Sequence, residues 1–218
     1  MNKQNDTFTE YLKPSRLCNF DEVPEIRGIA HRLASNCSDV RQQANCIFNF
    51  VKVLPFRYDD WNVKASDTLS RGWGMCSGKA NLLVAMLRAI GIPSKYIVLR
   101  CRGELDLYSL MTKRNDELAQ MCAALPEVGN HVNVEVYSGK WHVYEVARDP
   151  ALEQGLIQSG ISIEFQPLPD NNGSARYVFA NFDAWASKRQ ESAYITKNRK
   201  EILGLMNQEL DKIRLQRK

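Results

Sequence analysis

The run Gly72-Trp73-Gly74-Met75-Cys76-Ser77-Gly78-Lys79-Ala80, continued by good helix formers as far as Ile90-Gly91-Ile92-Pro93, limits the fold more than any other stretch. Ala80, Leu83, Val84 and Leu87 fall four, seven, eight and eleven places after Cys76, which is the spacing of one face of an amphipathic helix. Gly91 ends that helix and Pro93 prevents its resumption. Gly72 and Gly74 are expected to loosen the backbone just before it begins. Cys76 is thereby placed in the first turn of a buried helix. There, orphan amides and the positive end of the helix dipole favour a thiolate over a thiol.

A lone cysteine on a core helix is usually a small apolar residue. Placement argues otherwise here, because glycines precede Cys76 and histidines and carboxylates follow it further along the chain. The other five cysteines (Cys18, Cys37, Cys46, Cys101, Cys122) are scattered, with no Cys-x-x-Cys pair. That spacing argues against a zinc site, and without a secretory signal pattern it argues against a disulfide framework. No metal or cofactor is expected. The first residues lack a basic-then-apolar leader and no apolar run is long enough to span a bilayer, so the reading is a soluble, cytoplasmic protein without membrane contact.

At 218 residues one well-filled core is expected. The expected division is an irregular arm at 1–20, a catalytic domain at 21–185, and a basic amphipathic helix at 186–218 packed on it. Residues 197–218 hold seven Lys/Arg against three Asp/Glu, which accounts for the whole net charge of +4. Interleaved Glu201, Glu209 and Asp211, with an apolar stripe of Ile202, Leu205, Met206, Leu210 and Ile213, favour a solvated outer face over a nucleic-acid surface.

Helical spacing predicts a helix over 21–35 with Pro24 in its first turn, and a second, capped by Asp39, to about Leu54. A short helical turn is expected near Ala65–Leu69 and a strand over Lys95–Arg102. Residues 103–130 read as a surface excursion carrying a short helix over Asp116–Leu125, and weaker strands are expected at Ile161–Phe165 and Tyr177–Phe182. His131-Val-Asn-Val-Glu-Val-Tyr137, the turn Ser138-Gly139-Lys140 and Trp141-His-Val-Tyr-Glu-Val-Ala147 form a β-hairpin. Helices first and an antiparallel sheet afterwards make an α+β layered fold.

The hairpin carries the candidate base. With a three-residue loop, Tyr137 lies opposite Trp141, and His131, Asn133 and Glu135 share a face with Val143 and Glu145. Glu145 then stands diagonal to His131. A two-residue loop turns Glu145 away. Asp149, just past the strand, is the competing carboxylate. His142 alternates onto the opposite face from Glu145, so His131 is the favoured base and His31 a structural residue. Trp61 and Trp73 are candidates for the cleft wall or an oxyanion donor, with core anchoring as the competing role.

The Cys76 block, with Leu87-Arg88-Ala89-Ile90-Gly91-Ile92-Pro93, the His131–Tyr137 strand and Gly139-Lys140-Trp141, resembles the transglutaminase-like superfamily in a bacterial-type, single-domain form. The resemblance covers roughly residues 20–155 and includes Ala65-Ser66-Asp67-Thr68-Leu69. It implies a fold similar to that of papain-like proteases, with the nucleophile at the start of a buried helix packed on an antiparallel sheet. It also implies Cys76 as nucleophile and His131 as base. Four places past Trp141 stands Glu145 where the family usually has Asp, which leaves Glu145 or Asp149 as third member.

The expected chemistry is acyl transfer through a thioester, on a peptide, protein or other amide substrate. The alternatives are an amide-forming acyltransferase with an amine acceptor, and a binding protein that keeps the fold without catalysis. Residues 103–130 are the expected cover of the pocket.

Overall fold

Every residue of the helix that begins at Cys76 is buried, which makes it the axis of the molecule rather than an amphipathic surface element. The structure is a computed structural model and describes residues 8–101, 103–123, 129–162, 164–165, 167–188 and 193–216. In chain order the elements are a 3-10 turn at Thr9–Leu12, α1 Pro24–Ala34, α2 Val40–Lys52, α3 Ala65–Arg71, α4 Cys76–Ala89, β1 Ser94–Cys101, α5 Gly103–Thr112, α6 Asp116–Cys122, β2 Gly129–Tyr137, β3 Trp141–Tyr144, α7 Pro150–Gln158, β4 Arg176–Phe179, α8 Asp183–Ser187 and α9 Ala193–Arg214. The strands make one antiparallel sheet in the order β3-β2-β1-β4. This is the α+β architecture that the sequence predicts.

A helix with no solvent face must satisfy its polar side chains internally. The side-chain nitrogens of Lys79, Asn81 and Arg88 do so by donating to backbone carbonyls of the surrounding segments, while Ser77 Oγ and Asn81 Oδ1 are buried without a hydrogen bond. Asn81 reaches Val63 O at 2.8 Å, and Arg88 reaches Lys13 O, Ser94 O and Ala180 O at 2.6 to 2.7 Å. These spokes tie the N-terminal segment, the start of β1 and the chain after β4 to one helix.

The glycines before and within α4 act in two ways. Gly72 ends α3 at φ 69°, a left-handed position, with open space where a Cβ would stand. A Cβ on Gly74 would meet Thr68 Cγ2 at 3.0 Å, and one on Gly78 would meet Thr68 Oγ1 at 2.8 Å. Close packing of α3 on α4, rather than a loosened backbone, requires Gly74 and Gly78.

Local signals place several boundaries well. Pro24 stands at the first position of α1, and Asp39 caps α2 by accepting from Gln42 N. The hairpin has the three-residue loop, with Tyr137 opposite Trp141 and Val134 opposite Tyr144. Tyr96, Val98, Val132, Val134 and Val136 point to one side of the sheet and join the core with α4, whereas Leu99, His131, Asn133 and Glu135 point to the other.

Elsewhere tertiary packing overrides the local reading. Residues 1–7 of the expected N-terminal arm lie outside the described residues, and its later part is anchored: Leu17 and Cys18 are fully buried, and Asp183 accepts from Ser15 Oγ, Arg16 N and Leu17 N. The expected surface excursion carries two helices, α5 and α6, whose Leu107, Met111 and Leu118 are buried. The helix expected over Asp116–Leu125 ends at Cys122, and Leu125 and Pro126 lie outside the described residues. No strand forms at Ile161–Phe165 among its described residues; Ile163 lies outside them. The strand expected at Tyr177–Phe182 is Arg176–Phe179, and Phe182 instead caps α8.

Helix α9 buries Ile202, Met206, Leu210 and Ile213, as its stripe predicts. Glu209, expected on the outer face, is fully buried, with its carboxylate accepting from Lys212 Nζ at 2.6 Å. Gly155 of α7 lets α9 cross in contact, because a Cβ there would strike the Ile213 carbonyl.

Candidate active site

The candidate site lies where the first turn of α4 meets the chain leaving β3, the two being joined by Lys79 Nζ and Ala147 O. Cys76 is the first residue of α4 and is 4% exposed. The N-cap residue, Met75, has no polar side chain to cap with, and no acidic residue stands in the first turn. Nothing there offsets the positive end of the helix dipole.

One helical turn later, Lys79 is fully buried. Its Nζ donates to Lys52 O at 3.1 Å, Leu54 O at 2.7 Å and Ala147 O at 2.7 Å. Burial draws this amine down to about 7, against pulls in the other direction from Asp149 and Glu145. Only the ammonium form can donate to three carbonyls at once. Lys79 therefore fixes the start of α4 against the end of α2 and against the segment just beyond Glu145.

That segment carries the carboxylate. Glu145 Oε1 lies 3.2 Å from His131 Nε2 and accepts from Ala147 N at 2.8 Å. Its Oε2 is held by Lys52 Nζ at 3.0 Å, and the same ammonium reaches Glu153 at 2.7 Å. Burial on its own would raise the Glu145 carboxyl. The hydrogen bond and charge of His131 and the Lys52 ammonium outweigh it and hold the group well below the usual carboxylate range.

His131, 1% exposed, also meets Asn133 Oδ1 with Nε2 at 2.8 Å, and it stacks on Phe165 with ring centroids 3.5 Å apart. Arg148 lies over the far face of that contact, 4.2 Å from the Phe165 centroid. Both contacts of the imidazole use Nε2, and the Glu145 carboxylate among them can only accept, which favours the tautomer protonated at Nε2.

Asp149 stands in a different network. Its carboxylate caps α7 through Leu152 N at 3.1 Å, accepts from Phe56 N at 2.9 Å and pairs with Arg214 of α9 at 2.8 Å. Of the two candidate acids, the structure brings Glu145 and not Asp149 to His131. The ring contacts described for the two tryptophans are with other residues. Trp61 packs edge-on against Trp185 at 5.2 Å within an aromatic run that continues through Phe182 to Tyr96. Trp73 lies under the Arg71 guanidinium at 5.4 Å. His142 pairs with Val136 on the other face of the hairpin.

Lys52 and Lys79 are the residues that sequence reasoning missed. Lys52 closes a helix in an unremarkable Phe-Val-Lys-Val context, and nothing local distinguishes it from a solvated lysine. Lys79 carried a signal that went unused, a charge in the middle of an otherwise small and apolar helix start.

Among the described residues no helix is long and apolar enough to cross a membrane, and no group of three or more His, Cys, Asp and Glu side chains is placed to hold a metal. Comparison with curated proteins gives no significant match. A proposed cysteine protease from Cytophaga hutchinsonii, among solved structures, is similar with a TM-score of 0.49 and 16% identity over 82% of this chain, which spans 63% of that one. The model of the transglutaminase-like superfamily matches residues 27–146, a span that includes Cys76, His131 and Glu145 and stops short of Asp149. With more than half of its length matched in this way, the chain belongs to the transglutaminase-like superfamily.

Proposed function

We propose that the protein is a cysteine-dependent enzyme that cleaves an amide or peptide bond through a thioester, with Cys76 as nucleophile, His131 as base and Glu145 as the orienting acid. The observation that carries this reading is the contact between Glu145 Oε1 and His131 Nε2 at 3.2 Å, with the carboxylate tied to the segment against which the Cys76 helix begins. In that arrangement the imidazole takes the thiol proton and returns it to the departing amine. The carboxylate fixes the tautomer and stabilises the imidazolium. Amides at the start of α4 would stabilise the tetrahedral oxyanion. Water or an acceptor amine would then resolve the thioester.

The test starts with a small reagent, because Cys76 and His131 are both buried. Alkylation of Cys76 by iodoacetamide, followed by mass spectrometry across pH, should persist well below the ordinary thiol pKa of about 8.5. His131→Ala should abolish that low-pH labelling. If Cys76 labels no faster than Cys122 and is indifferent to His131, the protein keeps the fold without the chemistry. For an active protein, incubating an amide substrate with and without a primary amine, and weighing the products, separates hydrolysis from transfer.

A further inference from the structure

Two of the cysteines outside the site are paired. Cys37, in the turn between α1 and α2, and Cys46, in the second turn of α2, have their sulfurs 3.1 Å apart, and both residues are half-exposed. The Cys37 amide is fixed by the Ala34 carbonyl at 3.1 Å, and Asp39 between the two caps α2. Both ends of the pair are therefore held by backbone structure. The remaining cysteines differ: Cys18, Cys76 and Cys101 are buried, and burial lifts the Cys122 thiol to about 11.

We propose that Cys37 and Cys46 form a dithiol site that a peroxide or a low-molecular-weight disulfide oxidises reversibly to an intramolecular disulfide. The bond needs a sulfur separation of about 2.05 Å, so the two atoms have roughly one ångström to travel. With hydrogen peroxide, one thiolate attacks an oxygen, hydroxide leaves, and a sulfenic acid forms. The second thiol displaces water from that sulfur, so two thiols and one peroxide give one disulfide and two waters. With glutathione disulfide, the first thiolate forms a mixed disulfide and expels one glutathione; the second closes the bond and expels the other. The hydrogen bond between the thiols raises the Cys37 thiol by favouring its neutral form, so closure, which proceeds through the thiolate, quickens as pH rises. The bond ties the α1–α2 turn to α2. It does not depend on the acyl-transfer reading.

Trypsin separates the two residues at Arg41, leaving Cys37 on the peptide Leu33–Arg41 and Cys46 on Gln42–Lys52. The reduced full-length protein is treated in parallel with hydrogen peroxide or glutathione disulfide, capped with iodoacetamide and digested without reductant. The expected result is a linked Leu33–Arg41/Gln42–Lys52 pair, lighter by two hydrogens, from protein that stays monomeric on a non-reducing gel. Dithiothreitol should return both peptides to the alkylated form, and the arm that yields the link identifies the oxidant class. Cys46→Ser should replace the link by an adduct on Cys37 alone. Separate alkylated, glutathionylated or over-oxidised peptides in both arms, or a link found only between molecules, would overturn the proposal.

Discussion

Glu145 meets His131 at 3.2 Å through one carboxylate oxygen, while its other oxygen is held at 3.0 Å by Lys52. A carboxylate placed this way is oriented from both sides. The two networks at the end of the hairpin, Glu145 with His131 and Asp149 with Arg214, are therefore expected to respond differently to substitution.

Glu145→Gln should keep the fold and lower the rate of the proposed reaction by about 10⁴, since loss of the orienting charge costs on that scale in comparable sites. The low-pH alkylation of Cys76 should weaken in parallel. Asp149→Ala should instead lower stability by about 2–3 kcal/mol, because it removes one of the two carboxylates paired with the largely buried Arg214 and uncaps α7. Its folded fraction should keep the alkylation profile. Urea denaturation and the labelling assay, run on both variants, check the division.

Lys52→Met removes the second anchor of Glu145, so the pH dependence of Cys76 labelling should shift, and Lys52→Arg should restore most of it. Glu145→Asp shortens the same link. The two changes act on one contact, so Lys52→Met combined with Glu145→Asp should fall short of the sum of the single effects. Additive losses would show that Lys52 acts elsewhere.

Lys79→Met deprives the buried Ala147 carbonyl and the half-buried Lys52 and Leu54 carbonyls of their donor, and each group left unsatisfied costs about 1–3 kcal/mol. A loss of at least about 3 kcal/mol is expected in urea melts, with increased hydrogen exchange in the segment after β3.

Acid should destabilise the protein through Glu145 and Asp149, both held below the usual carboxylate range in the fold, where the partner charges and hydrogen bonds prevail over burial. A depressed carboxyl contributes stability that is fully present above its unfolded value of about 4 and is lost as pH falls through the folded value. Urea midpoints should drop below about pH 4, and Glu145→Gln with Asp149→Asn should flatten that part of the curve.

Gly78→Ala and Gly28→Ala should move stability in opposite directions. The first drives a Cβ to 2.8 Å from Thr68 Oγ1 and forces α3 off α4, at a cost of about 1–3 kcal/mol. The second meets nothing within 4 Å on α1, so it should stabilise by about 0.5–1 kcal/mol. Thermal unfolding distinguishes the two.

Sequence by itself determined the features that depend on neighbours in the chain. Pro24 at a helix start, Asp39 as a cap, Gly91 as a stop and the three-residue turn at Ser138–Lys140 follow from backbone sterics and hydrogen bonding over a few residues. The hairpin register follows too, because strand alternation puts His131 and Glu145 on one face once the turn length is set. Tertiary structure decided what depends on distant partners. Burial of α4 on all sides comes from segments whose carbonyls accept from Lys79, Asn81 and Arg88. The split between the two acids was settled by Arg214, Phe56 and Lys52, residues from remote elements whose charge and amides reach one carboxylate or the other. Alternation and capping are local and repeat along the chain. The partner of a charge is set by which surfaces meet when the core closes, and no single stretch of sequence records that.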